Sequence, residues 1–493
     1  MQLIDKDLLS MQEVRELVER AKQAQQELAQ MSQAQVDRIV RAIADAGVRN
    51  AKRLAQMAHE DTGFGIVEDK VIKNIFASRG VYEHIKDMKT VGEVARDDAK
   101  GLRTIAVPVG VVAGLLPSTN PTSTALYKAE ISIKAGNAIV FSPHPAALRC
   151  ISETVKVIRQ AINEAGGNEN LVSCITIPTM EATDNLMRHR DIAMILATGG
   201  SAMVRAAYSS GTPAIGVGPG NGPAYIDRSC DLKLAVKRIL DSKTFDNGTI
   251  CASEQSIICD EDMVDAIRAE MEAQGAYFLD EAESAQLGRF ILRANGTMNP
   301  EIVGRSVETI AKLAGLTRVP ANARVLVAPE TGVGRKHPYS NEKLAPILAF
   351  YTGKDYKDVC DKVCEILHYE GAGHTFSMHA NNDELVDYFA KPLPASRIIL
   401  NTASALGGIG GTTNLQPALT LGCGAVGGSA TSENVGPMNL LNMRYVAYGQ
   451  KELEDIRAEV PNCDDGICST APAMGEIDVD AIVRSVIDKL KAL

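Results

Sequence analysis

The sequence predicts an α/β protein whose parallel sheets are covered by helices on both faces. Three observations carry that expectation. Short apolar runs of strand length recur, as in Ala138–Ser142, Val172–Ile177 and Ile192–Ala197. Helical patterns at Ala146–Ala165 and Ala182–His189 lie between them, and such strand–helix alternation indicates a parallel sheet. The composition, 45% hydrophobic and 23% charged over 493 residues, is that of a globular chain of roughly two to four domains.

The elements follow in order. Residues 8–60 read as helical, with Leu8, Met11, Val14, Leu17, Val18 and Ala21 at helical spacing, then Val36, Ile39, Val40 and Ile43. A second helical stretch covers 67–88. The charged segment Glu93–Lys100 leads into strands at Leu102–Val107 and Val111–Leu116. The alternating series above comes next, and Ile192–Ala197 runs into Thr198-Gly-Gly-Ser201 and a helix through Ala207. A second αβ series spans 230–430, with strands at Gln255–Cys259, Ala323–Val327, Thr375–Met378 and Ile398–Asn401. The Gly-rich stretch Gly407–Gly428 precedes a last strand at Leu440–Ala447. No repeat of fixed period is present.

Residues 451–475 read as a linker, clearest at Val460–Gly475, which is rich in Pro, Asp, Gly, Ser and Thr. Beyond it, Val479, Ile482, Val483, Val486, Ile487 and Leu490 form one apolar helical stripe opposite Asp480, Arg484, Asp488 and Lys491. A short amphipathic helix past a linker is expected to dock on another protein.

Charge and composition exclude several classes. The net charge of −10 argues against a non-specific nucleic-acid binder, which needs a basic surface. No run of 18 or more apolar residues occurs, so no membrane span is expected. The N-terminus, Met1-Gln-Leu-Ile-Asp-Lys-Asp7, lacks the features of a secretory signal, and the 10 Cys show no framework spacing; reduced thiols and a cytoplasmic location are expected.

Two segments carry chemistry. In Thr244-Phe-Asp-Asn-Gly-Thr-Ile-Cys251-Ala-Ser-Glu-Gln255, a thiol follows a Gly-containing turn and precedes an apolar strand, a placement that can present Cys251 to a cleft. Read by itself, a Cys here is more often a small buried hydrophobe. In Gly114-Leu-Leu-Pro-Ser-Thr-Asn120-Pro121, a strand ends and a helix begins, and parallel sheets bind ligands at such ends. The Asn120 amide can donate to a developing oxyanion; its plainer reading is an Asn–Pro turn with a capping role.

Together these segments resemble the aldehyde dehydrogenase superfamily over residues 5–450. The match is closest to its CoA-acylating branch, the acetaldehyde and propionaldehyde dehydrogenases of ethanolamine, propanediol and choline utilisation. The aldehyde-dehydrogenase half of bifunctional aldehyde–alcohol dehydrogenases is similar too. Phe245-Asp-Asn-Gly-Thr-Ile-Cys251-Ala-Ser-Glu-Gln255 is the most specific motif, joined by Leu421-Gly-Cys-Gly424 and Ser432-Glu-Asn-Val-Gly436. The resemblance implies Cys251 as nucleophile and Asn120 as oxyanion donor. It also implies Ser142, Pro143 and His144 along an adenosine ribose, Gly199, Gly200 and Ser201 near a pyrophosphate, and Glu342 on the nicotinamide ribose. Independently, Thr198-Gly-Gly-Ser201 before a helix offers backbone N–H groups to a phosphate.

By the same resemblance, residues 1–93 and 109–228 form a Rossmann-like cofactor-binding domain and 229–432 the catalytic domain. Residues 94–108 and 433–450 form an oligomerisation element, making a homodimer or homotetramer. Segment 476–493 resembles the encapsulation peptides that take such enzymes into bacterial microcompartments by docking on shell proteins.

Two departures from hydrolytic aldehyde dehydrogenases shape the expected reaction. Where those enzymes carry Lys and Glu along the adenosine ribose, this chain reads Ser142-Pro-His-Pro145, so NAD is expected and NADP is not excluded. Where they carry a Glu as base on water, this chain reads Val217-Gly-Pro-Gly-Asn-Gly-Pro223, with Gly218 at that place. Water has a pKa near 15.7 and needs a base. A thiol of pKa about 8.5 is partly thiolate near neutrality and does not. The implied reaction is therefore aldehyde, NAD and coenzyme A to acyl-CoA and NADH, reversibly, through a Cys251 thioester. An acyl-phosphate reductase and a non-catalytic scaffold are the alternatives.

Three weaker constellations complete the reading. His374 is a spatial candidate to activate Cys251, against a plain core His. Cys360, Cys364 and His368 share one helix face but lack further ligands, so no metal is expected. Cys463 and Cys468 in the linker read as idle thiols, with redox or metal roles as alternatives.

Overall fold

The computed structural model describes residues 5–459. The segment 476–493, most of the linker, and Cys463 and Cys468 lie outside the described residues. Two helices, α1 (Lys6–Leu28) and α2 (Gln33–Thr62), occupy the N-terminal stretch. The break falls where Ser32 caps α2, its backbone N–H and hydroxyl both donating to Gln35 Oε1 at 2.9 Å. Helix α3 (Val67–Ile75) continues through a π-helical turn, Phe76–Gly80, into a further helical turn, Val81–Ile85, so the expected helical stretch is present from 67 to 85 with a π-helical section inside it.

Among the described residues, fifteen strands follow in chain order. They are β1 (Gly92–Asp97), β2 (Leu102–Pro108), β3 (Val111–Leu115), β4 (Ala138–Ser142) and β5 (Val172–Cys174). Next come β6 (Ile192–Ala197), β7 (Ala214–Gly216), β8 (Gly222–Ile226), β9 (Glu254–Asp260) and β10 (Ala276–Phe278). The last are β11 (Val325–Pro329), β12 (Ile347–Gly353), β13 (Gly373–His379), β14 (Ala395–Leu400) and β15 (Leu441–Ala447).

The expected α/β fold is present as two parallel sheets within one compact unit, residues 5–94 and 106–444. The first runs β5-β4-β3-β6-β7 and the second β10-β11-β12-β9-β8-β13-β14. In the second, alternate residues enter opposite cores. Tyr225, Ile258, Leu326 and Ala328 join one, and Ala224, Ile226, Ile257, Val325 and Val327 the other. Both faces are thus covered, and the strands read as unbroken apolar runs without alternation. That explains why β12 (Ile-Leu-Ala-Phe-Tyr-Thr-Gly) escapes a search for strand periodicity.

In the first sheet, the chain moves from β3 outward through β4 to β5, then returns to lay β6 on the other side of β3. This reversal between β3 and β6 is a topological switch point, where the connections part and leave a crevice at the strand carboxyl ends. The residues after β3, β4 and β6 therefore meet there by topology.

A second unit comprises residues 95–105 and the described part of 445–493. Its strands belong to a three-stranded sheet of order β1-β2-β15, and Tyr445 and Tyr448 are 67% and 55% exposed on it. Among the described residues no helix is long and apolar enough to cross a membrane.

Candidate active site

Eight of the nine residues singled out from the sequence line one cavity of about 400 Å³: Asn120, Ser142, Pro143, His144, Gly199, Gly200, Cys251 and Glu342. Ser201 stands beside them as the exposed first residue of the Ser201–Tyr208 helix. The cavity opens at the switch point of the first sheet, so residues 116–120, 142–145 and 198–200 reach it from three strand ends.

These strand ends suit a dinucleotide. A Cβ built on Gly200 would meet no heavy atom within 4 Å, and one on Gly199 only Met203 at 3.8 Å. The fold itself does not demand glycine there; a Cβ would occupy space on the cleft side, where a phosphate could approach the backbone. At the neighbouring strand end Ser142 Oγ is paired with Thr183 Oγ1 at 2.8 Å, and burial lowers the His144 pKa. No charge at this end selects between a 2′-hydroxyl and a 2′-phosphate.

Cys251 follows the turn Phe245–Gly248 and precedes β9. Asp246 and Asn247 in that turn have φ of 49° and 51°, left-handed values that cost non-glycine residues on the order of 1–3 kcal/mol each. Gly248 has φ 76°, and a Cβ there would lie 3.1 Å from the Ala345 backbone. Gly220 lies so close to Cys251 that a Cβ on it would fall 1.8 Å from the Cys251 carbonyl oxygen. By contrast, a Cβ at Gly218 meets nothing within 4 Å.

The Cys251 thiol is pushed up to about 12, first by burial and then by the Glu342 carboxyl and Cys423; Arg397 and the residue's own backbone N–H act the other way. Arg397 is a buried guanidinium that donates to the backbone carbonyls of His374, Gly422 and Ser432, to Thr375 Oγ1 and to Asn434 Oδ1. Glu342, the one carboxylate among the lining residues, accepts from the Gly220 N–H at 2.8 Å. Burial, then the neighbouring Glu370, raises it to about 7.

The Asn120 amide is held at both ends. Its Nδ2 donates to Thr249 O at 3.0 Å, and its Oδ1 accepts from Lys73 Nζ at 2.6 Å. Lys73 also donates to Asp246 Oδ2 at 2.5 Å and Thr249 Oγ1 at 3.0 Å, while Lys70 reaches the same Asp246 oxygen at 3.0 Å. These lysines were not singled out from the sequence. No local signal marks them: on α3 Lys70 and Lys73 are each 3% exposed while Ile72 is 51% exposed, the inverse of the usual pattern.

His374 lies buried in β13 and is not among the cavity residues. Its Nδ1 meets Thr375 Oγ1 at 2.9 Å, and burial, followed by Arg397, pushes its pKa down to about 3, leaving it neutral. Cys360, Cys364 and His368 share the Tyr356–Tyr369 helix, with Cys360 buried and His368 Nδ1 at 2.7 Å from Cys364 O. Among the described residues no group of three or more His, Cys, Asp or Glu is arranged to hold a metal ion.

Residues 4–407 match the aldehyde dehydrogenase family. Over 440 residues the sequence is 47% identical to the bifunctional aldehyde-alcohol dehydrogenase of Escherichia coli K12, covering 88% of this chain and 49% of that protein. The chain thus spans about half the length of that relative. Among solved structures, a probable aldehyde dehydrogenase from Listeria monocytogenes superposes with a TM-score of 0.91 at 63% identity, covering 92% of this chain and all of the other. An acetylating aldehyde dehydrogenase from Geobacillus thermoglucosidasius gives 0.90 at 49% identity, with 92% and 99% covered. A Rhodopseudomonas palustris propionaldehyde dehydrogenase with bound CoA and an acylated cysteine gives 0.79 at 27% identity, with 88% and 97% covered.

Proposed function

Because the chain belongs to the aldehyde dehydrogenase family, we propose that it interconverts a small aldehyde and its coenzyme A thioester, with Cys251 carrying the acyl group between them.

 The observation that carries this reading is the composition of the cleft. It holds a thiol and an amide donor, and it has open space without a carboxylate at Gly218. The acylated cysteine and bound CoA of the Rhodopseudomonas palustris enzyme support it; that structure matches with a TM-score of 0.79 over 88% of this chain and 97% of the other.

The chain's residues perform the cycle as follows. Cys251 Sγ adds to the aldehyde carbonyl carbon as its thiol proton passes to solvent in the open cavity. The oxygen, now an anion, accepts from Asn120 Nδ2 and from the Cys251 N–H. The residues of the three strand ends, with Glu342 on the ribose, would hold a nicotinamide dinucleotide, which would supply the acceptor for the hydride leaving that carbon. Cys251 then holds a thioester. With no carboxylate at Gly218 to activate water, the thiolate of coenzyme A attacks instead, the bond to Cys251 breaks, and the acyl-CoA departs. Acetaldehyde and propionaldehyde fit the small-aldehyde class, and NADP can replace NAD at a strand end without a selecting charge. The exposed strands of the second unit would pair subunits as a homodimer or homotetramer. The stripe within 476–493 would dock on microcompartment shell proteins, so its deletion should leave kcat unchanged and abolish co-sedimentation with shell.

The direct test supplies aldehyde and NAD with coenzyme A, with phosphate, or with neither, and identifies the acyl product. Acyl-CoA, formed only when coenzyme A is present, is the expected result. Acyl phosphate or free acid as the main product overturns the reading. Cys251→Ala should lower turnover by at least about 10³-fold, the scale at which removing a nucleophile acts.

A further inference from the structure

We propose that Lys73 is a positioning residue for the oxyanion-binding amide, holding the oxygen of Asn120 away from the reacting carbonyl so that the amide N–H not given to Thr249 is left to face it. The inference rests on the assignment of Asn120 as oxyanion donor and extends it to a side chain on α3.

The argument begins with the symmetry of an amide. Turned by 180° about its last torsion, Asn120 keeps its shape and exchanges a donor for an acceptor. In the wrong orientation its oxygen would face a developing anion. Hydrogen-bonding capacity decides between the two. An ammonium can only donate, so only the amide oxygen can face Lys73 Nζ, 2.6 Å away. A carbonyl can only accept, so only the amide nitrogen can face Thr249 O, 3.0 Å away. Both contacts select one orientation. The second Nδ2 hydrogen has Thr119 Oγ1 at 3.4 Å, a long contact, and Asn120 borders the same cavity as Cys251.

Lys73 is itself fixed. Its ammonium is buried and donates to Asp246 and Thr249 as well as to Asn120, which uses all three of its hydrogens. Asp246 is tied down by the Ile66 N–H at 2.7 Å and by Lys70 at 3.0 Å. Asp246 belongs to the turn before Cys251, and Thr249 to the short link between that turn and Cys251. One ammonium therefore registers the amide against the loop of the nucleophile.

The test separates carbonyl addition from simple displacement at Cys251 and needs no nucleotide. A p-nitrophenyl acetate burst acylates the thiol through an oxyanion; iodoacetamide alkylates it without one. Asn120→Ala should slow acylation by about 10²-fold, the scale of one lost oxyanion donor. Lys73→Met should slow it at least about tenfold, and the double variant should be no slower than Asn120→Ala alone, because both changes remove the same interaction. Alkylation should stay within about twofold throughout, since displacement at sulfur uses no oxyanion donor. Normal acylation by Lys73→Met, or losses that multiply in the double variant, overturns the role of Lys73. Normal acylation by Asn120→Ala instead overturns the assignment of Asn120. If Lys73→Met does not fold, Lys73→Arg and Lys73→Gln replace it: the cationic donor should retain more acylation than the neutral one, and equal rates overturn the proposal.

Discussion

At the scale of single residues, the site is governed by burial. Glu342 is raised to about 7, so it is mostly protonated at pH 6 and mostly ionised at pH 8. A carboxylate accepts from ribose hydroxyls better than a carboxylic acid does. With Glu342 on the nicotinamide ribose, as proposed, NAD should therefore bind more tightly as pH rises, by up to about tenfold between pH 6 and pH 8, the ratio of the ionised fractions. Fluorescence titration of the nucleotide measures this directly, and Glu342→Gln should abolish the dependence. The same carboxylate raises the Cys251 thiol. Removing its charge should make the thiolate easier to form, so Glu342→Gln should react faster with iodoacetamide at pH 8, with about tenfold as the gain for each unit by which the thiol falls. A slower reaction would contradict the electrostatics of the cleft.

At the scale of elements, α3 is joined to the nucleophile turn through Asp246. Burial pushes the Asp246 carboxyl up, but Lys73 and Lys70 together outweigh it and hold the group below its ordinary value. A carboxyl depressed in the folded state stabilises fully above its unfolded pKa of about 3.9, and that stability is lost as pH falls through the lower folded value. Asp246→Asn leaves two buried ammoniums without their counter-ion and should cost about 3–5 kcal/mol at pH 7. The deficit, read by denaturant unfolding, should shrink in acid below pH 4.

The same elements show what sequence makes visible. Cys251 stands in a motif and Asn120 at a strand end, so chemistry and position both point to them. The strands of the first sheet are legible because helices separate them at regular spacing. Lys70 and Lys73 were hidden because a lysine on a surface helix is ordinarily solvated; only the buried carboxylate, contributed by a turn 173 residues further on, brings Lys73 inward. Arg397 was hidden for a similar reason, since carbonyls from β13 and from two positions in the loops after it, His374, Gly422 and Ser432, make its socket. Contacts of this kind depend on tertiary packing and leave no local period.

At the scale of the whole molecule, the proposed choice of product turns on the open space at Gly218, between β7 of one sheet and β8 of the other. Gly218 has room for a side chain and Gly220 has none. Gly218→Glu should fold and place a carboxylate at the cleft, giving measurable acid formation in the absence of coenzyme A. Gly220→Ala should lose activity and stability together, because its methyl would overlap the Cys251 backbone. Product analysis by chromatography, beside thermal melting, distinguishes the two outcomes.

The shared anchor at Asp246 has a consequence for how the protein fails. Nucleophile turn and amide clamp hang from one carboxylate, so neither can drift while the other stays in register. Gentle warming should then extinguish catalysis in a single step, at the temperature where the Val67–Ile75 segment lets go, even if the rest of the scaffold survives well beyond it.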